Sequence, residues 1–410
     1  MSDVENLISG TFEMLEQGRG YLRRADANYS VGPADVAVPR TLCEKFNLRG
    51  GELIEGRCRR ANPNQNRGPQ RGGHPRGKHR GKQRGQRDQQ TPRNGKLELA
   101  DVVTINGRDS DSHLDVASFE SLIPVDPDRS VKFETEGGSI SMRVVDLMTP
   151  IGFGQRGLIA APPRTGKTML LQQMAHGIAT NHPDAYMMVL LIDERPEEVT
   201  EMRRTVHGEV VSSSNDADAA NHVRIARLMT AKAKRMVESG TDVIVLLDSL
   251  TRLGRAFNTA TRGRGRTMSG GLDISALTEP KAIFGAARNI EGGGSLTIIA
   301  SALIETGSRM DDVIFSEFKG TGNMEIMLSR NLANMRIWPA IDLEQSGTRK
   351  EELLLSPEAL QVSHKIRRTM IGRDPRKSME ELLERLGKHP DNASFVNSLK
   401  EPEIRRRFSR

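Results

Sequence analysis

Aromatic side chains make up only 4% of the 410 residues, with one Trp and three Tyr. A core so poor in rings must be built by aliphatic packing. Only two cysteines occur, Cys43 and Cys58, and their spacing is not that of a thiolate metal site. Their scarcity excludes a disulfide-stapled secreted scaffold and implies free thiols in a reducing cytosol. Apolar runs such as Val243–Leu247 are strand-sized, far short of a bilayer span. The opening Met1-Ser-Asp-Val-Glu lacks the basic and apolar regions of a secretion signal. The expected setting is cytoplasmic, with no membrane contact.

Acidic residues are scarce in one place. Residues 57–96 hold 13 Lys/Arg against a single acid, Asp88, a net of +12; with +7 for the whole chain, the remainder carries about −5. Within this stretch, 59–95 is low in complexity: Arg-Gly, Gln, Pro and His, with almost no apolar residue. Such a segment cannot offset its chain entropy by burial and is expected to be disordered. Arg-Gly repeats meet phosphates without sequence preference, so the segment reads as a tether for single-stranded nucleic acid.

The segment interrupts a strand-like region. Residues 10–16, 18–23, 35–38, 51–58 and 96–105 predict five short strands, which suit a small barrel of the oligonucleotide-binding (OB) type over residues 1–105. Tyr21 and Arg23 offer a stacking ring and a cation on one face, although period-2 alternation fits Tyr21 equally well as a core residue. Residues 106–140 read as a connector. From 141 to 355 strands alternate with helices, predicting a mostly parallel α/β sheet covered on both faces. Residues 356–410 predict a helical cap.

Phosphate chemistry is the strongest positive signal. Ala161-Pro-Pro-Arg-Thr-Gly-Lys-Thr168 has the spacing of a phosphate-binding loop, with Ala161 where the stricter pattern has Gly. Gly166 permits close backbone approach, Lys167 supplies a point charge, and the Thr168 hydroxyl can ligate Mg²⁺. A strand over 157–161 leads in and a helix from Met169 leads out, so phosphates would rest on a helix N-terminus. Val243–Asp248 is a buried strand ending in a second candidate Mg²⁺ ligand, Asp248. Val189–Glu194 ends in two acids, either of which could activate the attacking water. Arg336 and Arg349 are candidate cations for the departing phosphates. Two loops, the basic Gly-rich 261–271 and Thr306–Met310, suit a nucleic-acid backbone or a mobile lid.

Five stretches resemble the Rho family of bacterial transcription termination factors, hexameric RNA-dependent ATPases and helicases: Pro150–Thr168, Leu191–Thr200, Leu247–Arg252, Phe318–Met324 and Ser346–Leu353. Residues 140–360 carry nearly all of the likeness, and residues 10–58 resemble the family's RNA-binding barrel more weakly. The resemblance implies an α/β RecA-like P-loop ATPase domain, a small N-terminal all-β OB-type barrel and a helical C-terminal cap. It implies an ATP-driven, Mg²⁺-dependent translocase that moves along single-stranded RNA and ends transcription, working as a homohexamer ring on the RNA polymerase elongation complex. It assigns catalysis to Glu194, with Lys167, and makes Arg349 a finger acting on a neighbouring subunit, supported by Arg336. It brings Gly152, Phe153, Gly154, Gln155, Arg156 and Gly157 to the nucleotide, along with Arg164, Thr165, Gly166, Thr168, Met169, Arg195 and Trp338. It makes Tyr21, Arg23 and Asp35 a primary RNA site, and Thr267, Met268, Ser269, Gly270, Gly271 and Arg309 a secondary one. The family's primary-site aromatics align near Arg19 and Ala37, so only Tyr21 keeps a ring there.

Overall fold

The computed structural model describes residues 6–15, 18–60, 97–261, 271–370 and 372–399. They form two units, Met1–Asp115 and Val116–Arg410.

The first unit is built from short alternating strands. They are β1 (Asn6–Leu15), β2 (Arg19–Arg23), β3 (Val36–Val38), β4 (Leu53–Arg60), β5 (Leu97–Ile105) and β6 (Arg108–Asp109), with one short helix, α1 (Arg40–Lys45). The order β3-β2-β1-β4-β5-β6 is closed by a β3–β5 pairing at Ala37 and Glu98, giving a five-stranded barrel with β6 appended. Inward residues such as Phe12, Leu22, Val38, Ile54, Leu99 and Ile105 fill it. Gly56 is required where the strands cross: a Cβ there would sit 2.3 Å from the Asp101 carbonyl. Strand β4 runs on through Arg59 and Arg60, opposite Glu98 and Leu97, so the first two residues of the expected disordered segment are ordered strand. The rest of that segment, 61–95, lies outside the described residues.

The second unit begins with β7 (Pro124–Val125), β8 (Ser130–Val131), α2 (Ile140–Met148) and β9 (Ile151–Gly152). Its alternating body is β10 (Arg156–Ala161), α3 (Lys167–Asn181), β11 (Tyr186–Ile192), α4 (Pro196–Thr205), β12 (Glu209–Ser213), α5 (Ala219–Glu238), β13 (Asp242–Asp248) and α6 (Leu250–Thr261). It continues through α7 (Thr278–Gly285), β14 (Arg288–Ile290), β15 (Ser295–Leu303), α8 (Arg309–Lys319), β16 (Met324–Leu328), α9 (Arg330–Asn334) and β17 (Ile341–Thr348). The sheet order is β12-β11-β13-β15-β10-β16-β17, parallel except for β17 at the edge. Strands β10, β11, β13 and β15 are buried almost throughout, as a sheet covered on both faces demands. The expected connector is not free of structure, because β7 pairs with β14 and β8 with β9.

Helices α10 (Pro357–Met370), α11 (Pro375–Gly387) and α12 (Asn392–Leu399) form the cap. Arg143 of α2 donates to the Leu386 and His389 carbonyls, and Arg367 of α10 donates to Leu343 and Ser346, so guanidinium groups tie the cap to the body. No helix is long and apolar enough to cross a membrane among the described residues.

Candidate nucleotide site and RNA surfaces

Three strand tips meet at one end of the sheet. The 162–166 turn follows β10, the Asp193-Glu194 pair follows β11, and Asp248 ends β13. Between them opens a cleft of about 640 Å³ lined by Pro162 through Met169, Glu194, Arg195, Glu198, Glu201, Arg252 and Leu303. The turn is shaped locally. Thr165 donates its hydroxyl to the Pro162 carbonyl at 2.6 Å, and Gly166 takes a left-handed φ of 81° just before α3. A methyl group on Gly166 would also lie 2.7 Å from the Trp338 ring, which packs over it.

At the floor of the cleft, Lys167 Nζ lies 2.5 Å from Asp248 Oδ1 and 3.3 Å from Glu194 Oε1. Ser301 donates to the same Asp248 oxygen at 2.7 Å. Burial pushes the Lys167 ammonium down, but Asp248 and Glu194 together outweigh it and its pKa is raised. Burial, with the Asp248 charge added, holds the Glu194 carboxyl above the ordinary carboxylate range, against the pull of Lys167 and Arg252. Thr168 Oγ1 faces Glu198 at 3.5 Å. Among the described residues no group of three or more His, Cys, Asp or Glu could hold a metal by itself.

Glu194 and Asp193 are separated by their surroundings. Glu194 is 1% exposed and faces Lys167, whereas Asp193, at φ 57°, is half-buried and turned toward Arg252 at 3.7 Å. Arg252 also reaches Glu194 at 3.3 Å. No role is assigned to Arg252 from sequence; the signal available is its place four residues after Asp248, which brings it back to the strand tips after one helical turn.

Other candidate residues fall elsewhere. Gly152–Gly157 lie at the opposite end of β10 from the phosphate loop. Phe153 is buried against His182, Gln155 is buried, and Arg156 is bound to the Ala287 and Thr321 carbonyls. Arg349 is at that same far end, its backbone N–H donating to Asn323, whose side chain accepts from the Arg156 N–H. Arg336 is on the near side, two residues before Trp338. Strand β17, eight residues and roughly 25 Å long, lies between the two arginines, so within one chain they cannot serve one phosphate. Arg164 and Met169 line the cleft, as does Arg195.

In the barrel, Tyr21 is half-buried with the Arg23 guanidinium 5.2 Å from its ring centre. Arg23 itself is 3% exposed and ion-paired to both Glu13 and Asp35. Its charge is neutralised inside the barrel wall, so neither Arg23 nor Asp35 presents a free group in this state. Gly271 is described, at φ 78°, and Arg309 is exposed at the first turn of α8, whereas Thr267, Met268, Ser269 and Gly270 lie outside the described residues.

A parallel sheet with a phosphate loop at the tip of β10 and acids at the tips of β11 and β13 defines a RecA-like P-loop nucleotide-binding domain. Residues 141–348 match the nucleotide-binding domain of the ATP synthase alpha/beta family, and residues 8–71 match the RNA-binding domain of the Rho termination factor. The chain is 47% identical over 395 residues to transcription termination factor Rho of Cereibacter sphaeroides, covering 95% of this chain and 86% of the relative. It is 46% identical over 396 residues to that of Escherichia coli K12, covering 95% and 87%. It belongs to the transcription termination factor Rho family. The fold is also that of a prototypical ATPase from the type III secretion system of pathogenic bacteria, with a TM-score of 0.56 at 22% identity over 68% of this chain and 86% of that one.

Proposed function

We propose that the chain is an RNA-dependent ATP hydrolase that terminates transcription, acting as one subunit of a six-membered ring on single-stranded RNA and the RNA polymerase elongation complex in the cytoplasm. The observation that carries this reading is the Lys167–Asp248–Glu194 cluster in a cleft the size of a nucleotide, on a chain that also holds an RNA-binding barrel.

Thr165, Gly166 and the first turn of α3 offer backbone N–H groups to the phosphates. Lys167 exchanges its carboxylate partners for phosphate oxygens when ATP enters. Thr168 and Asp248, an all-oxygen donor set of the kind Mg²⁺ prefers, would hold the metal together with the nucleotide. When bound, the metal neutralises charge on the outer phosphates. Glu194, freed of Lys167, accepts the proton of the attacking water; its raised pKa makes it a better base than an ordinary carboxylate. Trp338 stacks on the base, and Arg195 and Arg336 reach the nucleotide from the same subunit.

Arg349 acts on the next subunit. Strand β10 alone puts roughly 20 Å between its end of the sheet and its own phosphate loop, so a neighbour's nucleotide is the one it can meet. The Gly152–Gly157 edge goes with it. A head-to-tail interface of this kind closes into a ring when its rotation divides a full turn, here into six. On the RNA side, Tyr21 stacks a base, and Gly271 with Arg309 contacts the strand in the ring's channel.

The same nucleotide-binding fold serves an ATPase of a type III secretion system. ATP turnover measured with and without oligopyrimidine RNA separates the readings. Strong stimulation is expected, and turnover indifferent to RNA would overturn the proposal.

A further inference from the structure

The two acids at the tip of β11 are held from the side by the end of β12. Asp193 N–H donates to the Ser213 carbonyl at 2.7 Å, and Asn215 N–H donates to the Glu194 carbonyl at 3.1 Å. The two chains thus stay joined past their last strand pair, Ile192 with Ser213. Asp193 needs that support. Its φ of 57° lies in the left-handed region, which a residue other than glycine keeps only when its surroundings fix it. The turn it makes decides where the Glu194 carboxyl points.

Ser213 is itself fixed. It is buried, with its hydroxyl 2.7 Å from Nδ1 of the buried His222 and 2.8 Å from the Asn221 amide nitrogen. The next partner sets the direction of these bonds. Arg224 can only donate, and it holds Asn221 Oδ1 from two nitrogens, at 3.3 and 3.2 Å. The Asn221 nitrogen is therefore the atom that faces Ser213, so the Ser213 oxygen accepts there and its proton goes to His222. Nδ1 is an acceptor, and His222 is the neutral tautomer with its proton on Nε2. Burial holds the imidazole below its ordinary range, against the pull of Asp193 at the β11 tip and of Asp218 and Asp216 before α5; Arg252 from α6 adds to the lowering.

We propose that His222 and Ser213 are positioning residues for Glu194: the imidazole fixes the Ser213 hydroxyl, Ser213 fixes the end of β12, and that backbone holds the Asp193–Glu194 turn. This rests on the reading of Glu194 as the base. A buried Ser–His pair elsewhere in the sheet would be packing alone; this one sits where β12 makes its bonds to the catalytic turn. An imidazolium would turn Nδ1 into a donor and leave the Ser213 proton without its acceptor. It would also put a second cation beside Asp193, where Arg252 already lies at 3.7 Å. Both changes loosen the turn that aims Glu194, so the site works with His222 neutral.

The experiment uses the assembled full-length chain at saturating oligopyrimidine RNA. His222→Ala and Ser213→Ala are each expected to lower kcat by about 10- to 100-fold, the cost of displacing a reacting group by about 1 Å, with KM for ATP changed by less than about twofold. His222→Asn puts an amide oxygen near the place of Nδ1 and does not titrate, so it should recover most of the kcat lost in His222→Ala. It should also change the acid limb. With Glu194 and His222 both required unprotonated, log kcat falls with a limiting slope of about two below both pKa values, and in His222→Asn with a slope of about one. If His222→Ala does not assemble, Ser213→Ala and His222→Asn carry the two readouts. Wild-type kcat in both alanine variants, or an unchanged slope in His222→Asn, would overturn the positioning role. A loss in His222→Ala that His222→Asn does not recover would reduce the residue to packing. Glu194→Gln tests the underlying reading: wild-type turnover there would remove Glu194 as the base. Lost turnover in Glu194→Gln beside wild-type turnover in the alanine variants would overturn the role of His222 and Ser213 alone.

Discussion

The two units hold their buried charges in different ways. In the barrel, Arg23 is closed off between Glu13 and Asp35, and its charge is spent within the wall. In the nucleotide-binding unit, Lys167 sits between Asp248 and Glu194 at the floor of an open cleft, within reach of an incoming phosphate. The same arrangement, one cation and two carboxylates, is scaffold in one place and machinery in the other. What separates them is access: a charge network can do chemistry only if a ligand can replace one of its members.

That contrast can be broken or sharpened by substitution. The largest effect is expected from Arg349→Ala, because in its proposed trans-acting role an arginine contributes roughly 10³–10⁵ in turnover. Mixed rings of Arg349→Ala and Glu194→Gln subunits should recover part of the activity, since some interfaces then hold both intact groups. Mixing curves that follow the dilution of two inactive proteins would place both groups in one subunit. Next comes Glu194→Gln, with a loss of about 10²–10⁴ in turnover and nearly unchanged nucleotide affinity, measured by titration with a fluorescent ATP analogue. Wild-type turnover in that variant would shift the role to Asp193.

In the barrel the order of effects should reverse, with stability changing before function. Arg23→Ala removes the cation shared by Glu13 and Asp35 and should destabilise the unit by about 3–5 kcal/mol in chemical denaturation. Tyr21→Ala should instead leave stability nearly alone and weaken RNA binding by about 1–3 kcal/mol, the worth of one stacked base. If Arg23→Ala instead weakens RNA binding and spares stability, the buried pairing gives way to RNA.

A further contrast between the units is read by pH. Asp146 on α2 accepts N–H bonds from Phe133 and Glu134, and burial pushes its carboxyl up to about 7. A carboxyl raised on folding adds stability below its unfolded pKa, near 4, and that contribution is lost as pH rises through about 7. Asp146→Asn should flatten the pH dependence of denaturation in this window. An unchanged slope would mean that the group titrates normally.

Much of the nucleotide site was legible in the sequence because its parts are contiguous. A phosphate loop must follow a strand and open a helix, so Ala161–Thr168 states its own geometry, and strands ending in Glu194 and Asp248 point to one edge of a parallel sheet. Choosing Glu194 over Asp193 was not legible from spacing; it depends on which side chain is buried beside Lys167. The distance between Arg336 and Arg349 was hidden too, because 13 residues say nothing of the extended strand between them. The barrel's strands were visible in their alternation, but the fate of Arg23 was not. Its partners Glu13 and Asp35 lie on two other segments, and only the register of the β1–β2 and β2–β3 pairings brings them together. Arg252 was missed because its motif points to Asp248, and the contact with Glu194 arises between strands that are neighbours only in space.

Strand β10 has the phosphate loop at one end and Arg156, joined through Asn323 to the Arg349 backbone, at the other. In the proposed ring each copy of this strand is a strut between two consecutive catalytic sites, with a fixed length and buried faces. Such a strut cannot stretch, so a subunit that tilts to grip its own nucleotide must move its arginine relative to the next one. Sequential firing around the ring would then need no separate signal, only the stiffness of six extended residues.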